Sequence, residues 1–431
     1  RAAFLLDRTL GRRRNEGIER ELHLPPPRLL SRAMTLKLFP GVAPRNLTGG
    51  AQWYDYQMVQ NDRLTYAFAE AADRAGAVLL NYVEAIGAIK EGATVAGMDA
   101  RDVETGRSLS IRARLTVNAA GAHAGRVRRM FGIDQPHPLL ATMNLVARKP
   151  PKEVALAAPT ADGRMLTLVP WSGHVVVGTS HSAAVIDDPD VPATSREIDG
   201  FIQQANEAFP ALALTREDVT LVHRGLVPAV TGAPHAELQA APTIVDHTPQ
   251  GTRGAMTVIG VKYTTARGVA ERTIDKAARI LGQAVRRSAT ATALLPAAGI
   301  GDHAGLAIET AKRLAVDLPP ATITRLSEVY ADAAADVIRL MAEDAHLRET
   351  LAPGSPAVAA EIVYVIRRES AIHLTDVLLR RTGLGAAGHP GAEVLRAASA
   401  VAARELGWDE SRRLSEVAAV EATYRVPQGA G

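Results

Sequence analysis

The chain has 431 residues, 47% of them apolar and 22% charged, a balance that suits a soluble globular protein of two or three domains. It has no cysteine, which excludes disulfides, thiolate metal sites and cysteine nucleophiles. The net charge is only +3 and the basic residues are spread along the chain, so no basic stripe marks a nucleic-acid binder.

Residues 2–21 read as a polar helix, ended by Pro25-Pro26-Pro27 because proline cannot continue one. The run Arg12-Arg13-Arg14 fits a solvated helix face, or a contact with an anionic membrane surface at about 1 kcal/mol per basic residue. A second helix is expected over 29–38, an aromatic strand over 52–56 and a helix over 62–75. Val78-Leu79-Leu80 is a candidate buried strand. Residues 83–113 alternate short strands with polar turns. Strand 115–117 then runs into Asn118-Ala119-Ala120-Gly121 and a helix to about Phe131.

The middle third reads as antiparallel sheet. Apolar runs at 165–169 and 175–177 are joined by Pro170-Trp171-Ser172-Gly173, a hairpin signal. A helix over 195–209, strands at 219–223, 243–246 and 256–259, and a helix over 265–281 follow. From about Gly301 the spacing is helical throughout, with four to six helices broken at Pro319-Pro320, Pro353-Gly354 and 388–390. This divides the chain into residues 1–298 and a helical domain over 299–431. No run of about 18 apolar residues exists to span a membrane, and the N-terminus lacks a signal-peptide layout. A first residue that is Arg rather than Met fits a fragment or a trimmed chain.

Four stretches could carry chemistry. In Gly260-Val261-Lys262-Tyr263-Thr264-Thr265-Ala266-Arg267 a strand ends at a glycine and a helix starts soon after. Gly260 lets a ligand approach the backbone, Thr264 or Thr265 can cap the helix, and Lys262 adds charge to a terminus that already favours anions. An ordinary strand–loop–helix with a solvated lysine fits the same spacing. The small residues of 118–121 would admit a cofactor phosphate or ribityl chain, or serve helix–strand packing. His181 stands beside Thr179 and Ser180 at a strand end, as a polar cluster or a satisfied histidine. Arg224, next to His223 and before Gly225, could hold an anion or form a surface ion pair. No G-x-G-x-x-G follows a first strand, and no Walker loop, zinc spacing or G-x-S-x-G is present.

Taken together these segments resemble the FAD-dependent glycerol-3-phosphate dehydrogenases. Residues 260–267 look like that family's G-x-K-x-T-T-x-R signature. Val117 to Gly121 is similar to its strand-to-flavin turn, Val169-Pro170-Trp171 with Gly178-Thr179 to its hairpin, and Tyr54-Asp55 with Asp62-Arg63-Leu64 also matches. Ala360 to Tyr364, Arg367, Glu369, Asp376, Arg380-Arg381-Thr382 and 405–408 resemble its helical cap. The resemblance implies an α/β body like that of the D-amino-acid oxidases: an FAD-binding domain interleaved with an antiparallel substrate domain, followed by an all-helical domain. It implies oxidation of sn-glycerol 3-phosphate to dihydroxyacetone phosphate, with electrons passed to a quinone or to oxygen. It also implies a cytoplasmic protein able to sit peripherally on the inner face of the cell membrane and to form homo-oligomers. Carried over residue by residue, Gly260, Lys262, Thr264 and Thr265 fall at the flavin edge and Ala120 and Gly121 beside the cofactor. Lys262, Arg224 and His181 are the catalytic candidates. The family's N-terminal Rossmann strand and Gly-rich loop, roughly 80 residues with the segment after it, have no counterpart here. The chain also has Val227, Asn144 and Ser180-His181 where the family commonly has an arginine, a histidine and a Thr-Asp pair. These departures leave room for another small polyol phosphate or hydroxy acid, or for a non-catalytic relative.

Overall fold

The computed structural model describes residues 2–44, 46–149, 154–161, 163–186, 190–230, 237–296, 298 and 301–427. The chain opens with α1 (Ala2–Leu10), β1 (Arg28–Ser31), α2 (Arg32–Leu38), β2 (Gly49–Gln52) and α3 (Asn61–Arg74). A meander of β3 (Val83–Glu91), β4 (Thr94–Asp102) and β5 (Ser108–Arg112) leads to β6 (Thr116–Asn118) and α4 (Ala124–Met130). Then come β7 (Leu139–Ala147), β8 (Leu156–Pro159), β9 (Met165–Trp171), β10 (His174–His181), α5 (Ser195–Ala208) and β11 (Val219–Pro228). The body closes with β12 (Thr243–Asp246), β13 (Ala255–Ile259) and α6 (Ala266–Ile280). The helical part comprises α7 (His303–Arg313), α8 (Pro320–Tyr330), α9 (Ala334–Glu343), α10 (Ala359–Arg368), a π-helical turn (Asp376–Arg381), α11 (Ala392–Leu406) and α12 (Glu410–Thr423).

Two sheets position the site. One is antiparallel, in the order β11-β7-β10-β9-β8. Its one face is covered by α5, where Ile198, Phe201 and Ala205 meet Met143, Leu145, Ala147, Val175 and Val177. Each such large side chain contributes about 1.5–3 kcal/mol by leaving water. Thr194 starts α5 with a capping box: its hydroxyl accepts from Glu197 N at 3.2 Å and Glu197 Oε2 accepts from Thr194 N at 2.7 Å. Because strand residues alternate faces, Thr142 and Asn144 look the other way, towards α3 and the helical part. The second sheet has the order β12-β13-β6, with β13 and β6 parallel.

The helical part packs around Leu326, Ile338, Met341, Ile362 and Leu374. It meets the body along a polar seam. Arg63 of α3 pairs with buried Glu369 and donates to Val329 O at 3.1 Å. Thr220 of β11 donates to Ala387 O at 2.8 Å. His373 bridges Glu416 at 2.8 Å and Glu104 of the body at 3.0 Å.

Several expectations change. The first helix stops at Leu10 and gives way to 3-10 turns, because Gly11 interrupts it and Gly17 takes a φ of +74°. Residues 28–31 form a strand before α2, which Ser31 caps through Met34 N at 3.2 Å. The strand placed at 52–56 lies at 49–52, paired with β1, while Trp53 and Tyr56 are exposed and Tyr56 donates to Leu22 O. Val78, Leu79 and Leu80 form no strand and are 83%, 48% and 52% exposed. No strand of the described residues stands beside them. Of the arginine run, Arg13 pairs with Glu16 and Arg14 with Asp7 at the surface. Among the described residues no helix is long and apolar enough to cross a membrane, and no histidine or carboxylate cluster could hold a metal.

Candidate active site

Parallel strands leave a crevice beyond their carboxyl ends, where α/β proteins bind ligands. Met256 pairs with Val117 and Thr257 with Asn118, so β13 and β6 end side by side. The turns that follow, with Ala120 and Gly121 in one and Gly260, Lys262, Thr264 and Thr265 in the other, therefore leave the sheet at the same edge. Asn118 is the buried post beneath them. Its Nδ2 donates to Ala124 O at 2.9 Å and to Thr257 Oγ1 at 3.3 Å, and its Oδ1 accepts from Ala120 N at 3.2 Å.

Both turns are open. Gly121 has a φ of +56°, and a methyl group at Gly121 or Gly260 would meet nothing within 4 Å. Thr264 and Thr265 do not cap α6. Thr265 Oγ1 instead donates back to Lys262 O at 2.9 Å, which tightens the turn and leaves α6 without a side-chain cap, its first N–H being taken by Tyr263 O. That terminus carries partial positive charge, and exposed Lys262 adds a full one with no ion pair among the described residues. Tyr263 ties the turn down: its hydroxyl lies 2.8 Å from Thr65 Oγ1 and donates to Asn61 O at 3.3 Å, both on α3.

Asp62, next on α3, faces the antiparallel sheet. There His223 is in register with Asn144, which puts both side chains on the face away from α5. Asn144 Oδ1 accepts from Thr179 Oγ1 at 2.9 Å. The Trp171 ring stands edge-on to His223 with centroids 6.0 Å apart. Burial pushes the His223 imidazole below its ordinary value, against the pull of the Asp62 carboxylate. Burial likewise raises Asp62, opposed by Arg380, His223 and Arg381. His181 is in register with Thr142 on this same face, and its Nδ1 lies 3.3 Å from Arg164 Nη1.

Arg224 is not part of this assembly. It pairs in register with Met143, on the α5 face, and its Nη1 reaches Glu197 Oε1 at 3.3 Å. Arg267 is tied to Glu271 at 2.7 Å and Thr290 at 3.0 Å. Val227, opposite Leu140, shares the face of Asn144 and His223 and offers it no charge. The residue passed over in favour of Arg224 is His223. Two-residue alternation along β11 separates the pair, once it is known which face α5 covers.

The donor set fits one end of a flavin. The backbone at Gly121 and Gly260 is open to a ligand, and Lys262 with the α6 terminus would favour a ring that gains negative charge on reduction.

Comparison with known proteins agrees. A family model described as FAD dependent oxidoreductase matches residues 4–313, and one described as the C-terminal domain of alpha-glycerophosphate oxidase matches residues 288–413. The chain is 27% identical over 383 residues to a glycerol-3-phosphate dehydrogenase of Synechocystis sp., covering 84% of this chain and 68% of that protein. It is 28% identical over 407 residues to glycerol-3-phosphate dehydrogenase 2 of Mycobacterium tuberculosis, covering 92% and 67%. The fold superposes on the glycerol-3-phosphate dehydrogenase of Bacillus halodurans, solved with FAD, with a TM-score of 0.76 and 25% identity over 92% of this chain and 79% of that one.

Proposed function

The chain belongs to the FAD-dependent oxidoreductase family of the glycerol-3-phosphate dehydrogenases, and from there we propose that it oxidises sn-glycerol 3-phosphate to dihydroxyacetone phosphate. The observation that carries this is the meeting of the Lys262 turn, through Tyr263 and α3, with the sheet face of Asn144 and His223. When bound, FAD supplies the two-electron acceptor for the C2 hydrogen of the substrate. The protein's part is to hold the alcohol and take its proton. His223, kept neutral near pH 7, accepts the hydroxyl proton, and Asp62 and Trp171 orient it. Asn144 and Thr179 offer hydrogen bonds to the substrate hydroxyls. With FAD bound, Lys262 would offset negative charge at the flavin edge. A quinone or oxygen would serve as the final electron acceptor.

A second reading, oxidation of another small polyol phosphate or a hydroxy acid, is favoured by one observation. Among the described residues, Val227 stands on the site face and Arg224 on the opposite one, so β11 brings no guanidinium to a phosphate. Steady-state turnover of the FAD-loaded protein with an artificial electron acceptor tests both. Lys262→Ala should lower turnover by about 2–4 kcal/mol in barrier while leaving the thermal midpoint in place. Turnover no faster with glycerol 3-phosphate than with glycerol would sink the first reading, and unchanged turnover in Lys262→Ala would remove the lysine from it.

A further inference from the structure

A cavity of about 430 Å³ lies in the seam between the body and the helical part. Its charged lining comes from both. The body gives Arg148, just past the end of β7, and Asp62; the helical part gives Arg380 and Arg381 from the π-helical turn. Arg63 and Arg325 also border it, but Glu369 and Glu361 neutralise them. The remaining cations are differently placed. Arg148 is exposed and makes no side-chain hydrogen bond or ion pair with any described residue. Arg380 uses one nitrogen on Asp376 at 2.9 Å and is half-exposed. Arg381 is fixed over the Tyr66 ring at 4.9 Å, donates through Nε to Glu369 O at 3.0 Å with Glu369 Oε2 at 4.0 Å, and through Nη1 to Arg380 O at 3.4 Å, which leaves Nη2 without a hydrogen bond to any described residue.

Short π segments are rare and recur at functional sites, where they turn side chains that an α-helix would aim differently. Here the segment ends on two consecutive arginines that both line the cavity. Guanidinium forks match phosphate oxygens, and here three of them, from both parts of the chain, border one cavity. We propose that the seam cavity is a second anion site, which binds a small phosphorylated hydroxy compound through Arg148, Arg380 and Arg381, with its hydroxyls towards Asp62 and Ser172.

The Arg148 end of the cavity lies apart from the substrate face. Arg148 lies four residues along the strand from Asn144, about 14 Å at 3.4 Å per residue, too far for one three-carbon phosphate to bridge. It is nonetheless connected to that face. Trp171 borders the cavity and touches His223, and Asp62 borders it beside Asn61, whose carbonyl holds Tyr263 of the flavin turn. The proposal does not depend on which substrate is oxidised.

Isothermal titration of the full chain with inorganic phosphate, with glycerol as the uncharged control, tests it. Phosphate should bind in the millimolar range or tighter and glycerol should not. Arg148→Glu, at an exposed residue without a described partner, should weaken phosphate binding at least tenfold with an unchanged thermal midpoint, and Arg380→Ala should weaken it several-fold. Lys262→Ala should bind phosphate as the wild type does. Absence of phosphate binding by the wild type overturns the proposal. So does binding that survives Arg148→Glu and Arg380→Ala but is lost in Lys262→Ala, a result that would place the anion at the flavin turn and leave the proposed oxidation intact.

Discussion

The Arg325–Glu361 and Arg63–Glu369 pairs of the helical part and its seam are largely buried, whereas Lys262, in the turn after β13, is exposed and makes no ion pair among the described residues. Glu361 is 0% exposed and accepts from Arg325 Nε and Nη2 at 3.0 and 2.9 Å, from the Tyr330 hydroxyl at 3.0 Å and from Val358 N at 3.0 Å. Every lone pair it has is used, which makes the carboxylate tolerable inside the helical core. Lys262, by contrast, has solvent around it, the helix behind it has no side-chain cap, and a methyl group at Gly260 in the same turn would meet nothing within 4 Å. The carboxylate of Glu361 is satisfied by the protein's own donors, whereas the charge of Lys262 faces solvent. Stability and chemistry are therefore carried by different ionic groups, and substitutions should separate them.

The sharpest separation comes from Glu361→Ala. It strands Arg325 in the core and removes the Val358 contact at the start of α10, so the helical part should lose about 3–5 kcal/mol in denaturant titration. A loss below about 1 kcal/mol would mean that the seam charges are no more structural than Lys262. A smaller effect is expected at His373. Burial lowers its pKa, but the carboxylates of Glu416 and Glu104 outweigh that and raise it above the ordinary value, with Arg412 also facing the ring at 3.2 Å. The folded state thus favours the protonated ring. Its contribution is complete below the unfolded value of about 6.5 and is lost as pH rises through the folded one. Unfolding free energy should fall between pH 6 and pH 8 by about 1 kcal/mol or less, and His373→Gln should flatten that slope. A slope unchanged in the variant would assign it to other groups. The least effect belongs to Val78→Thr, within about 0.5 kcal/mol by the same titration, because an 83% exposed side chain has little packing to lose. A cost of 2 kcal/mol would show that the 78–80 run is covered in solution.

The turns at the sheet end were legible because their signals are local. A strand, a glycine and a helix start at 255–266 can be read in order, and so can Asn118 before three small residues. In the five-stranded sheet the β9–β10 hairpin and β11 were legible for the same reason, but β7, which lies between β11 and β10, and β8 were not expected. What sequence spacing did not reveal is relational. Arg224 and His223 look equivalent until α5 is seen to cover Met143 and Leu145, which assigns one to the packed face and the other to the site. Thr265 looks like a helix cap, yet its hydroxyl takes the nearer carbonyl of Lys262. Apolar content marked 78–80 as core, but burial needs a neighbour, and none of the described strands lies there. The pairing of Arg63 with Glu369, 306 residues apart, left no mark that period or composition could register.

The π-helical turn at Asp376–Arg381 also bears on how chains of this kind should be aligned. A π turn holds one residue more than the α-helix it interrupts. A relative one residue shorter there would keep both arginines in its sequence but present them about 100° further round the helix axis, away from the seam. Identity at those two columns would then say nothing about the cation pair. A gap of one position would.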